Sequence, residues 1–164
     1  MDKQASIDKF QKALTKQIIK EFVNQGHSLT GAFEQSIEYN TIEEIDSLTQ
    51  QVLVNFYGSF LDNGVSSSQI KYPYASARID ALTRYATLRI GLQGKEARSA
   101  AFAIATNHKK HGMPSHGSYQ YSKNSRRTAW VDNVLSESAS MIEKFANELS
   151  DSIIEISINN LLKK

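Results

Sequence analysis

Three of the four histidines, His108, His111 and His116, lie close together. His108-x-x-His111 at a helix end would set two imidazoles on adjacent turns, as a metal site needs. No Asp or Glu occurs between Ala97 and Val131, and the chain has no cysteine. The ligands that would complete a shell are therefore missing, and no metal site is expected. His108 also continues the stripe Ala97, Ala101, Ile104, and imidazoles near a helix C-terminus interact favourably with its last carbonyls. Serines are plentiful, but none sits in a G-x-S-x-G setting, and Gly117-Ser118 has no acid nearby. Glu43 and Glu44 are adjacent on a strand-like run, so their carboxylates would point to opposite faces. Gly91-x-x-Gly94-Lys95 only echoes a phosphate loop, without the spacing or the preceding strand. The expectation is a protein without catalytic residues, cofactor or metal.

The remaining chemistry is that of contact. Arg98, Lys109, Lys110, Lys123, Arg126 and Arg127 are the only charged residues between Ala97 and Val131. With a formal net charge of +2 for the whole chain, everything outside this window sums to −4. Within it, Gly112 to Arg127 reads as a long polar loop in which Tyr119 and Tyr121 alternate with polar residues ahead of Lys123, Arg126 and Arg127. Tyrosine and arginine are common anchors of protein interfaces. Aromatics interleaved with cations also suit nucleic acid, stacking bases and neutralising phosphates. The plainest alternative is a solvated loop whose cations aid solubility. A protein interface through Tyr119, Tyr121, Lys123, Arg126 and Arg127 is the first reading, because structureless connections of this length are uncommon and usually functional. Nucleic-acid contact across 109–127, with Lys109 and Lys110 contributing, is the alternative.

The elements that must hold this loop are legible in part. At 164 residues the chain fits one domain, 1–164, able to bury roughly 70% of its unfolded surface. Hydrophobic content of 40% and charged content of 22% belong to an ordinary globular protein. The start MDKQASIDKF has no apolar run suited to a signal peptide, and no stretch approaches a membrane span, so a soluble cytoplasmic protein is expected. Ile7, Phe10, Leu14, Ile18 and Phe22 recur at helical spacing and predict a helix over Asp2–Asn24, closed by Gln25-Gly26-His27 with glycine in the left-handed position. A short helical turn follows over Ala32–Ser36. Weak alternation from Ile37 to Ile45 and the β-branched, aromatic run Gln51–Tyr57 predict an antiparallel hairpin turning at Asp46-Ser47. Asp62-Asn63-Gly64 reads as a turn, with Ser66-Ser67-Ser68 continuing as loop to Pro73. Helix returns at Ala75 with Ile79, Leu82, Ala86 and Ile90, is interrupted at Gly91 and Gly94, and resumes over Glu96–His111, whose alanine face implies close approach to another element. Trp130, Val131, Val134 and Leu135 open a further helix, continued by Met141, Ile142, Phe145 and Leu149. The tail 150–164 reads as either strand or helix, and helix is favoured because Asp151 is its sole turn residue. The fold class expected is α+β: a small antiparallel sheet packed by long helices, with a long basic loop between the later helices.

The order of segments resembles the tail-completion or head–tail joining (neck connector) proteins of tailed bacteriophages. Their Thr-Gly-x-Leu-x-x-Ser-Ile element is matched by Thr30-Gly31-Ala32-Phe33-Glu34-Gln35-Ser36-Ile37, with Phe33 at the leucine position. Their strand Tyr-Ala-x-Tyr-Val-Glu-x-Gly-Thr has the cadence of Tyr57 to Val65. Their Ala-x-x-Ile-Ala helix and Gly-Ile-Pro turn are echoed by Ala101 to Ala105 and Gly112-Met113-Pro114, although the Arg-Pro-Phe that many members carry next is missing. The resemblance covers roughly Asp2 to Leu149. It implies a virion structural subunit without catalysis or cofactor, assembled in the bacterial cytoplasm into a six- or twelve-fold ring at the phage neck. Its partners would be further copies of itself and the portal, adaptor and tail proteins, with passing contact to genomic DNA and none to a membrane.

Overall fold

The computed structural model describes residues 3–44 and 47–162, of which helices are the dominant element. The apolar spacing of the first segment forms α1, Lys3–Asn24, whose buried face carries Ile7, Phe10, Leu14, Ile18 and Phe22. The last segment forms α5, Trp130–Leu162, so the tail continues as helix rather than strand. Phe10 stacks on Phe145 with ring centroids 4.1 Å apart, while Phe22 meets Trp130 edge-on at 6.1 Å. Partners that run forward on one helix and backward on the other make α1 and α5 an antiparallel pair. Phe33 closes this core by stacking on Phe22 at 3.6 Å.

The hairpin is present: β1, Glu38–Glu43, pairs antiparallel with β2, Leu48–Leu53, in a register that sets Tyr39 opposite Val52. The expected residues Ile45 and Asp46 lie outside those described. One face of the hairpin seats Tyr39 and Val52 on the α1–α5 core, and the Tyr39 hydroxyl reaches Gln11 O at 3.0 Å.

The second strand ends earlier than its composition suggests. After Val54 the chain turns into helix α2, Tyr57–Asn63, so neither the extension of strand to Tyr57 nor the strand cadence of Tyr57 to Val65 holds. The physical reason is long-range. Gly58 is buried against the Phe33 ring, and its carbonyl accepts the Trp130 indole N–H at 3.0 Å. Asp62, Asn63 and Gly64 are the end of this helix rather than a free turn. Asp62 caps α5 from there, its carbonyl accepting Ala129 N–H at 2.8 Å and its carboxylate accepting Val131 N–H at 2.9 Å.

A second layer is made by α3, Ser76–Tyr85, and α4, Gly94–His111. Ala97, Ala101 and Ala105 are fully buried, and the latter two pack with Ile79 and Leu82, which is the close approach the alanine face implies. Between α3 and α4 the helix widens into a single π-helical turn, Ala86–Ile90, which ends at Gly91 with φ of 83°. Such turns re-aim side chains and occur often at functional sites. Among the described residues no helix is long and apolar enough to cross a membrane.

Candidate functional site

The segment after α4 is not an open loop. His116–Tyr121 forms a 3-10 helix, and the stretch around it lies across the C-terminal end of α1. That helix ends in a Schellman motif: His27 N–H bonds Phe22 O at 3.0 Å, and Gly26 N–H bonds Val23 O at 2.9 Å, with Gly26 at φ of 71°. The carbonyls that follow have no partner within the helix and carry its negative dipole end. The basic segment supplies what they lack. Lys123 N–H donates to Asn24 O at 2.7 Å, and the Arg127 guanidinium donates to Gln25 O. Arg89, carried on the π-helical turn, donates to Gly26 O at 2.6 Å and Ser28 O at 2.9 Å.

A buried carboxylate ties the same region together. Glu21 accepts from the amide groups of Gln25 at 2.8 Å, Asn133 at 3.0 Å and Asn124 at 3.2 Å. One residue each from the cap of α1, the basic segment and α5 thus converges on a residue that is only 2% exposed.

The expected contact residues divide into two sets. Tyr121 and Arg127 turn inward: Tyr121 lies beneath the Arg89 guanidinium at 5.4 Å, and Arg127 donates through one Nη to the end of α1. Tyr119, Lys123 and Arg126 stay exposed, Arg126 reaching Asn133 Oδ1 at 2.6 Å. Lys109 and Lys110 are exposed on the last turn of α4, where Lys109 sits over the Tyr74 ring at 5.7 Å. Arg89, Glu21, Asn124 and Asn133 carry no local signal. Arg89 precedes Ile90 of an ordinary helical stripe, and two of the three partners of Glu21 are about a hundred residues away in sequence. The one usable clue was glycine at 91, which marks where the helix bearing Arg89 must stop.

Two histidines are held neutral here. The pKa of His27 is lowered to about 4 by burial and by the neighbouring charges of Arg127 and Arg89. His108 is lowered to about 4 by burial and by Arg78, whose guanidinium donates to His108 Nδ1 at 3.2 Å. Among the described residues no group of three His, Asp or Glu is placed to hold a metal ion. An unfolded histidine titrates near 6.5, so between about 6.5 and about 4 the unfolded chain binds more protons than the native one. The stability contributed by the neutral imidazoles is intact above this window and is lost as pH falls through it. The urea midpoint is therefore expected to fall between pH 6.5 and 5, and the double variant His27→Gln, His108→Gln to flatten that slope. A midpoint constant over this range in the unmodified chain would show that both imidazoles accept protons freely.

Two cavities flank this cluster. One, of about 300 Å³, is lined by Leu82, Ile104, His108 and Pro114; the other, of about 350 Å³, by Phe33, Glu34, Tyr57 and Arg89. His27, Leu61, Tyr85 and Arg127 line both. No protein-family model, curated protein or solved structure matches the chain.

Proposed function

We propose that this chain is a non-enzymatic virion structural protein, a ring-forming subunit of a phage head–tail connector or tail-completion complex. The observation that supports this reading is the placement of its exposed aromatics in two separate groups. At the junction of the hairpin and α2, Phe56 is 77% exposed and meets Phe60, itself exposed, edge-on at 5.2 Å. At the entry to α3, Tyr72 is 78% exposed, and Tyr74 contacts Phe102 of α4 at 6.3 Å under the cations Lys109 and Arg98. Apolar side chains scattered singly over a surface need no explanation, whereas grouped aromatics bordered by arginine mark contact surfaces. A ring closed by rotation joins two unlike patches of neighbouring subunits, and this chain has two to offer.

The first test is quantitative mass spectrometry of purified particles, counting the chain against the major capsid protein. A fixed number near six or twelve supports a ring position, and absence from particles overturns it. The variant to pair with it is Tyr119→Ala, Lys123→Ala, Arg126→Ala, since these three side chains are exposed while Tyr121 and Arg127 serve the fold. Each substitution is expected to change monomer stability by about 0.5 kcal/mol or less, and the triple variant to assemble poorly. Normal assembly by this variant would move the contact to the aromatic groups. Lys109 over Tyr74 and Arg98 over Phe102 favour a second reading, nucleic-acid binding along α4. Such binding must weaken by decades as salt rises.

A further inference from the structure

Arg89 and Arg127 are more than caps for α1. Each guanidinium has five N–H donors, and between them they serve the carbonyls of Gln25, Gly26 and Ser28. The Nε of each is buried without a hydrogen-bond partner. Among the described residues neither guanidinium has a carboxylate within 4.0 Å, because the ion pairs all lie elsewhere: Lys3–Glu43, Lys20–Glu137, Arg98–Asp80 and Lys144–Glu148. The helix end supplies only about half of an opposing charge. Two half-buried cations side by side, offset by the Tyr121 ring and a helix end but by no paired carboxylate, favour the entry of an anion.

The cavity of about 350 Å³ is where it would enter, since Arg89 and Arg127 both line it. Its other walls include the Phe33, Tyr57 and Tyr85 rings. Glu34 lines it too, with its Oε2 buried and unpartnered. Glu34 is beyond 4.0 Å of either arginine, so it offsets their charge without occupying their donors. Two guanidiniums against one carboxylate leave a single positive charge, which a monoanion neutralises and a dianion exceeds. Arg89 Nη1 and Arg127 Nη2 make none of the bonds to α1 and can pair with a carboxylate, and aromatic walls favour an apolar body behind the charged head.

We infer that the cavity between Arg89 and Arg127 binds one carboxylate group on an apolar body. The carrier is either a small organic acid or the free C-terminus of a partner chain; both present the same head group. Capping α1 uses one Nη of each arginine and leaves the other Nη groups and the lone Glu34 oxygen unexplained. A carboxylate ligand would take those Nη donors, and a hydroxyl or ammonium on its body would face Glu34.

The test uses the full chain and follows the arginine Nε–H signals by NMR at constant ionic strength. Benzoate is expected to shift the Arg89 and Arg127 signals saturably, and phosphate at pH 8, a dianion, to bind about tenfold more weakly. Arg89→Lys and Arg127→Lys, checked for folding by circular dichroism, should each weaken benzoate binding about tenfold or more. Glu34→Gln leaves the α1 carbonyls untouched and should strengthen it about threefold or more, because a repelling charge is removed. This opposite sign keeps the test decisive even where an arginine variant fails to fold. A short peptide with a free C-terminal carboxylate, compared with its amide, separates the sources. Tighter binding of the free peptide than of benzoate assigns a protein terminus, and weaker binding assigns a small acid. Absence of a saturable shift, equal binding of phosphate, or indifference to Glu34→Gln overturns the inference.

Discussion

Replacing Gly26 with alanine is expected to cost about 2–5 kcal/mol, a large share of the stability of a domain this size. Two penalties add. Gly26 stands at φ of 71°, where an alanine loses about 1–2 kcal/mol to its own Cβ. That Cβ would also overlap the Tyr121 carbonyl oxygen, lie 2.7 Å from the Tyr121 carbonyl carbon and 2.9 Å from Arg127 Nη1. The 3-10 helix cannot stay seated, and if it lifts, Lys123 N–H and Arg127 leave the α1 carbonyls they satisfy. Gly91 provides the control. It has φ of 83°, yet no atom lies within 4 Å of a Cβ placed there. Gly91→Ala should therefore lose only the conformational term, about 1–2 kcal/mol. Urea denaturation of the two variants reads the difference as a shift in midpoint at unchanged slope. Equal losses would mean that the basic segment does not rest on the end of α1.

The same pair of glycines shows what the sequence could disclose. A residue in the left-handed conformation at the end of a periodic stripe is a local property, so the close of α1 at Gly26 and the stop at Gly91 were readable. The alanine face of α4 was readable for the same reason, since small residues at helical spacing have meaning without knowing their neighbour. The end of β2 was not. Val52, Val54, Phe56 and Tyr57 suit a strand by type, and what bends the chain into α2 is the seat of Gly58 between Phe33 and Trp130, far away in sequence. The basic segment misled in a similar way. Its composition announces a surface loop, but Arg127 answers a demand for donors set at the end of α1, and Tyr121 supports Arg89, which answers the same demand. Charge counting along the chain assigns a cation to solvent unless an acid is near, and the partners of Arg127 are backbone carbonyls, which carry no letter in a sequence.

Glu21→Ala is expected to cost about 3–5 kcal/mol, mainly through the donors it strands. The amides of Gln25, Asn124 and Asn133 all donate to this carboxylate, and Gln25 is itself fully buried. Removing the acceptor leaves at least part of this set desolvated and unpaired, and it opens a void between α1 and α5. Asn124→Ala takes away one donor and leaves the carboxylate two others, so about 1–2 kcal/mol is expected. If Glu21 is what fastens the basic segment, the double variant should lose less than the sum, with a coupling of about 1–2 kcal/mol. Hydrogen exchange locates the effect. In Glu21→Ala the amide of Lys123, which bonds Asn24 O, should exchange faster, while Ala105 and its neighbours in α4 keep their protection. Were the Lys123 amide to remain protected, the two arginines on the α1 carbonyls would be sufficient to hold the segment. Arg127→Lys would then release it where Glu21→Ala does not, which makes the guanidinium contacts, rather than the buried carboxylate, the fastening of the basic segment to the core.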